Sequence, residues 1–186
     1  MAILMVVIGF SQSFMDMGIS NAIIHRRKVS NSQLSSLYWL NIFSGLILSI
    51  LVALASPLIA SFYNEITLVN SLLMLSCVFV INSICSQFKV LFQKELKFKV
   101  MGIIDMCSSL ISFLVAIYFA SMGYGLNSLV FAMIAQSIVS SFSYFITGIN
   151  SFYRPNFRFK NSELTGFYSF GFYQMGERSI NYLTAN

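Results

Sequence analysis

The sequence predicts an all-α protein, a polytopic bundle of transmembrane helices, on three observations. Hydrophobic residues make up 57% of the 186 and charged ones only 9%, against about 25% charged in a typical soluble domain. The charges are clustered, so that no Asp, Glu, Lys, Arg or His occurs from Val29 to Asn64, from Ile66 to Phe88 or from Met106 to Tyr153. The basic residues fall between the apolar stretches rather than within them. About 20 apolar residues rising about 1.5 Å each cross a hydrocarbon core of ~30 Å, so each stretch holds one or two spans.

Six segments follow in order. The first runs from Met1 to Ile24 and stops at His25-Arg26-Arg27-Lys28. No basic residue precedes it and its first charge is Asp16, so it reads as a span rather than a cleavable signal. The second starts near Leu34 and ends near Tyr63, with Pro57 expected to kink its last third. The third covers Ile66 to Phe88 and leads into a charged loop, Lys89 to Lys99. The fourth covers Val100 to Met122, and Gly123-Tyr124-Gly125 provides a turn. The fifth covers Leu126 to Asn150 and is followed by the basic-aromatic connector Tyr153-Arg154-Pro155-Asn156-Phe157-Arg158-Phe159-Lys160. The sixth begins near Leu164 and runs to Asn186. Residues 1–163 thus hold five helices with their loops, and 164–186 the start of another.

Charge placement supports this count independently. Of eleven Lys and Arg, three lie between the first and second segments, four between the third and fourth, and three between the fifth and sixth. If each segment spans once, these loops share one side. The positive-inside rule makes segments 25–33, 89–99 and 153–163 cytoplasmic. Phe62-Tyr63 and the Tyr118/Tyr124 region then occupy the outer interface, where amphipathic rings are favoured. The net charge of +5 accordingly reads as topology and lipid-headgroup attraction, with no nucleic-acid partner. The first segment would begin on the outer side, which suggests an internal slice of a longer protein. The simpler alternative is a small protein with its N-terminus outside.

Polar and small residues recur at helical spacing on each helix. The first segment carries Gly9, Gln12, Ser13, Asp16 and Ser20; the second Asn41, Gly45, Ser49 and Ser56. The fourth carries Asp105, Ser108, Ser109 and Ser112; the fifth Gln136, Ser137, Ser140, Tyr144 and Thr147. In lipid a polar group needs a partner or water, so these stripes are expected to face the bundle interior. Tight packing accounts for most Ser and Gly positions. It accounts less easily for Gln12, Asp16, Asp105, Gln136, Glu177 and Arg178, the candidates for lining a polar substrate path, because intramembrane charge is costly. Asp16 is nine residues from His25, roughly 13 Å deep. Arg178 is at comparable depth, so the two are expected to face one cavity and to interact. Asp105 is six residues from Lys99, roughly 9 Å deep, within reach of water or a snorkelling lysine.

Catalytic chemistry is not indicated. No Ser-His-Asp set, HExxH, P-loop or GxGxxG occurs, and the lone His25 sits beside a basic cluster. Cys77, Cys85 and Cys107 form no CxxC pair and lie in apolar segments, so they are expected to pack rather than bind metal. The reading is of a non-enzyme without cofactor.

Several blocks resemble a known family. They are Phe14-Met15-Asp16-Met17-Gly18-Ile19-Ser20-Asn21-Ala22-Ile23-Ile24, Gln33-Leu34-Ser35-Ser36-Leu37-Tyr38-Trp39-Leu40-Asn41, Pro57-Leu58-Ile59-Ala60-Ser61-Phe62-Tyr63 and Phe92-Gln93-Lys94-Glu95-Leu96-Lys97-Phe98. Weaker echoes are Arg154-Pro155 and Phe170-Gly171. Together they resemble Wzx-type polysaccharide flippases of the multidrug/oligosaccharidyl-lipid/polysaccharide exporter superfamily, most closely the branch associated with colanic acid. The resemblance implies part of the amino-terminal half of a two-bundle exporter: helices two to six and the start of helix seven. It implies a multi-pass protein of the bacterial inner membrane. The implied activity is translocation of undecaprenyl-diphosphate-linked oligosaccharide by alternating access, with membrane lipid, lipid-linked oligosaccharide and other polysaccharide assembly proteins as partners. The slice alone, lacking the second bundle, is not expected to transport. An anionic diphosphate suits a basic mouth, for which Lys89, Lys94, Lys97, Lys99, Arg154, Arg158 and Lys160 are candidates; topology and attraction to anionic lipid are the plainer reading of each. The competing functions are a drug or small-solute antiporter of the same superfamily and a non-transporting scaffold of an export complex.

Overall fold

The computed structural model describes residues 23–24, 29–65, 67–125 and 127–156. Four long helices make up nearly all of this: α1 (Asn31–Phe62), α2 (Thr67–Lys94), α3 (Phe98–Ser121) and α4 (Asn127–Ser151). Among the described residues there is no strand. The shortest helix has 24 residues and the longest 32, or roughly 36 to 48 Å at the α-helical rise, so every one exceeds the ~30 Å hydrocarbon core. Each contains an 18-residue window with mean hydropathy of at least 1.8. The fold is a membrane helical bundle, all-α as the composition requires. Apart from Ile23 and Ile24, the first predicted segment lies outside the described residues, as does the sixth.

The second to fifth predicted segments are recovered within a few residues, and the differences have local causes. α1 begins three residues before Leu34 because Ser30 is its N-cap. The Ser30 hydroxyl accepts from the Gln33 amide at 3.2 Å, and the Gln33 side chain accepts from the Ser30 amide at 3.2 Å. This reciprocal capping box satisfies two otherwise orphaned donors. Pro57 lies inside α1 without ending it. Proline removes the donor that would reach the Ala53 carbonyl, and the Ser56 hydroxyl donates to that carbonyl instead, at 2.8 Å. A neighbouring hydroxyl commonly makes such a repair in lipid.

The charged loop expected from Lys89 to Lys99 is a correction. α2 continues to Lys94, and only residues 95–97 separate it from α3. Charge misled here because the core pattern persists: Phe88, Val90, Leu91 and Phe92 are all buried while Lys89 and Gln93 point outward. A lysine can continue a helix past the hydrocarbon edge by carrying its ammonium to the headgroups. The Gly123-Tyr124-Gly125 turn stands as predicted, with positive φ at both glycines.

α2 is the central element. α1 and α4 pack on it, and α3 packs chiefly on α4. α2 and α4 run parallel, tied at three levels. Ser71 Oγ donates to Asn127 Oδ1 at 3.0 Å, Ser141 Oγ donates to the Ile81 carbonyl at 2.9 Å, and Phe88 stacks edge-on against Phe145. Two glycines let the helices pack closely. A Cβ on Gly45 would come within 2.5 Å of Ser83 Cβ, and one on Gly148 would fall on the Phe88 ring. Small residues serve this purpose at membrane interfaces, where dispersion contacts replace the hydrophobic effect. The result puts Lys89, Lys94, Lys97, Lys99 and Arg154 at one end of the bundle with the α1 N-terminus. Glu65 and the two short turns lie at the other.

Cys85 is buried, as a packing cysteine should be, but Cys77 and Cys107 are exposed on the outside of the bundle.

Candidate functional site

The basic end carries the chemistry. Lys89 and Asp105 come from helices joined by a three-residue turn, so their approach follows from the α2–α3 hairpin. Lys89 Nζ lies 3.6 Å from Asp105 Oδ2, and the Tyr144 hydroxyl of α4 donates to Asp105 Oδ1 at 3.0 Å. The same ammonium stands 5.5 Å from the centre of the Tyr144 ring. Three helices therefore meet at one carboxylate. Both charged side chains are 47% exposed while Tyr144 is buried, so the pair sits at the bundle surface over an aromatic floor. Asp105 is served by a snorkelling lysine, one of the two possibilities its shallow depth left open.

The other lysines differ in their engagement. Lys94 Nζ donates to the Ile23 carbonyl at 2.7 Å, tying α2 to the chain that precedes α1. Lys97 pairs with Glu95 at 2.7 Å and lies 4.8 Å from the Phe152 ring centre. Lys99 and Arg154 are exposed and form no ion pair among the described residues. Of the basic candidates, these two offer their charge outward. Arg158 and Lys160 lie outside the described residues.

Of the candidate path residues, Gln12, Asp16, Glu177 and Arg178 also lie outside the described residues, and with them the expected Asp16–Arg178 contact. Gln136 is exposed and donates to Ser109 Oγ at 3.4 Å. With Ser112 Oγ donating to the Ala132 carbonyl at 2.9 Å and Tyr144 bonded to Asp105, it forms a polar seam between α3 and α4. The stripes on these two helices face each other across that seam.

α2 contributes a polar spine to which charge and glycine patterns gave no clue. Ser76, Ser83 and Gln87 are buried, and their seven- and four-residue spacings put them on one helix face. Gln87 Nε2 donates to the Leu34 carbonyl at 2.8 Å, and the Tyr153 hydroxyl reaches the same oxygen at 3.2 Å. Burial pushes the Tyr153 phenol well above its usual range; the neighbouring Tyr38 phenol adds to the shift and the Gln87 amide opposes it. Tyr153 thus stays a proton donor at any physiological pH. Among the described residues, Asn41 Oδ1 and Gln87 Oε1 are buried and accept no hydrogen bond. The spacing Ser76…Ser83…Gln87 was the available signal, in a stretch where Asn82 and Ser86 are polar as well and nothing singles out one face.

Two concavities open at this end. One, of about 850 Å³, lies between α1 and α4 over α2 and is lined by Tyr38, Trp39, Ile42, Ile81, Ile138, Phe145 and other apolar residues, with Arg154 at its edge. The other, of about 910 Å³, gathers Ser30, Gln33, Lys94, Glu95, Ser151 and Tyr153 around the α1 N-terminus and is the more polar. Among the described residues no cluster of His, Cys, Asp or Glu is arranged to hold a metal ion.

Comparison with known proteins adds what geometry alone does not. Residues 1–186 match the profile of a family described as polysaccharide biosynthesis protein. The chain is 33% identical over 179 residues to the teichuronic acid biosynthesis protein TuaB of Bacillus subtilis (strain 168), covering 95% of this chain and 36% of TuaB. It is 33% identical over 191 residues to the lipopolysaccharide biosynthesis protein WzxC of Escherichia coli (strain K12), covering 98% of this chain and 37% of WzxC. It is 25% identical over 169 residues to the amylovoran biosynthesis protein AmsL of Erwinia amylovora, covering 89% of this chain and 42% of AmsL. The chain therefore spans little more than a third of the length of the first two. No solved structure matches it.

Proposed function

The chain belongs to the polysaccharide biosynthesis protein family, and from that premise we propose that the whole protein translocates lipid-linked oligosaccharide units across the bacterial inner membrane. The observation that carries the reading is the family match along all 186 residues, on a chain whose described part is a bundle of membrane-length helices. The cargo class is an undecaprenyl-diphosphate carrying a sugar head, moved by alternating access. Two chemical features suit such a cargo. A diphosphate is a strong acceptor for charge-assisted hydrogen bonds, and Lys99, which forms no ion pair among the described residues, presents its charge at the basic end. That end faces the cytoplasm under the positive-inside rule, the side on which a lipid-linked precursor is captured. Residues 1–163 and 164–186 correspond in this reading to helices two to six and the start of helix seven. The protein acts as a transporter and performs no covalent chemistry on its cargo.

The test is genetic complementation by the full-length protein in a strain lacking its own translocator for a defined repeat unit. Restored polymer, with lipid-linked units no longer accumulating on the cytoplasmic side, is the expected result. Unchanged accumulation despite normal membrane insertion would overturn the proposal. Loss of polymer without accumulation would point instead to a scaffold that assembles the export machinery.

A further inference from the structure

α1 and α4 both pack on α2 and leave between them an apolar groove of about 850 Å³, within the ~300–1,000 Å³ range of small-molecule sites. Its walls include Trp39 and Ile42 of α1 and Ile138 and Phe142 of α4; Ile84 of α2 forms the floor. Along α4 the lining runs from Ile138 to Ile149, roughly 16 Å at the helical rise, about half of the ~30 Å hydrocarbon core. Toward the far end the three helices close on one another, with Ala60, Leu75, Val78 and Val130 in one cluster. The groove is therefore one leaflet deep and blind near the membrane centre.

Its open end is polar. Arg154 borders it, is exposed and makes no ion pair among the described residues. The Trp39 indole at the same end donates to the Asn156 carbonyl at 3.1 Å, which holds the ring at the level where Trp is favoured in membranes. An apolar slot of single-leaflet depth with an exposed guanidinium at its mouth is complementary to one molecule class: an amphiphile with an anionic head and a chain no longer than one leaflet.

We propose that this groove holds an anionic phospholipid of the leaflet at the basic end, one acyl chain lying along α2 and the phosphate on Arg154. Depth favours an acyl chain over a polyprenyl chain, which is much longer than the slot and would meet its closed end. Charge favours an anionic lipid, which the cytoplasmic leaflet supplies. The lipid would complete the α1–α4 interface that the side chains leave open. This inference rests on the membrane-spanning fold and not on the identity of the cargo.

The experiment uses the full-length protein in phosphatidylcholine nanodiscs doped with phosphatidylglycerol, with retained lipid read by native mass spectrometry. One phosphatidylglycerol is expected to stay bound to the parent. Arg154→Gln should weaken its retention about tenfold, the factor expected for a lost charge-assisted hydrogen bond, and Arg154→Lys should keep most of it. Ile138→Trp, which fills a half-exposed position in the slot, should expel the lipid while leaving elution and melting unchanged. If Ile138→Trp unfolds the protein, the Arg154 pair decides alone. Equal retention by the parent and Arg154→Gln overturns the proposal. So does displacement of phosphatidylglycerol by equimolar polyprenyl phosphate, which would assign the slot to cargo. Export by the same variants is scored separately, so a failed lipid site leaves the translocation reading intact.

Discussion

Lys89 of α2 and Asp105 of α3 lie 3.6 Å apart on opposite arms of a hairpin whose turn is only three residues long. Tyr144 brings α4 to the same carboxylate at 3.0 Å. A partnered carboxylate at this depth avoids much of the cost that a lone charge would carry in lipid. Because both side chains are about half exposed, the pair is a modest staple rather than a pillar of stability.

Neutralising both members should therefore cost less than the sum of the two single losses. Asp105→Asn and Lys89→Met are each expected to destabilise the full-length protein by about 1 kcal/mol. The double variant should fall short of the sum by at least ~0.5 kcal/mol. Thermal melting in detergent measures this. Additive losses would mean that the two charges stand independently, each satisfied by solvent.

Gly148 meets Phe88 where α4 crosses α2. Gly148→Ala drives a methyl into a ring that is fully buried, and overpacking of this kind costs about 1–3 kcal/mol. Lower protein level and an earlier melt are expected, with recovery on adding Phe88→Leu. Failure of that second change to rescue would place the collision elsewhere.

The basic end separates into two groups by what holds each side chain. Lys94 is bonded to the Ile23 carbonyl and Lys97 to Glu95, so Lys94→Gln with Lys97→Gln should lower export about in step with protein level. Lys99→Gln should lower export several-fold at constant protein level, because that side chain forms no ion pair among the described residues and is available to a diphosphate. Quantitative export normalised to membrane-inserted protein distinguishes the two. The opposite ranking would move cargo contact to the Lys94 side.

Orientation is open to direct labelling. In a variant with Cys77, Cys85 and Cys107 replaced, a cysteine at Asn64 should react with an impermeant maleimide added to intact cells, and one at Asn31 should not. The reverse pattern inverts the bundle and with it the cytoplasmic assignment of 25–33, 89–99 and 153–163.

The sequence by itself determined the class of solvent, the number of described spans and the end at which the positive charge collects. Those properties are sums along the chain: uncharged length sets whether a segment can cross lipid, and the spacing of basic residues sets which loops share a side. It also located Asp105 as a charge in need of a partner. The partner was a tertiary matter. The charge of Lys89 points to a loop, whereas the buried Phe88, Val90 and Phe92 keep it helical and turn it toward α3. Likewise nothing in the sequence separates Ser83 and Gln87 from the adjacent Asn82 and Ser86, and their role depends on which α2 face meets Leu34 and Gly45 of α1. In a bundle whose helices are hydrophobic all round, periodicity does not say which face is inside. Only the packing of one helix on another decides it, and only that packing creates the slot between α1 and α4.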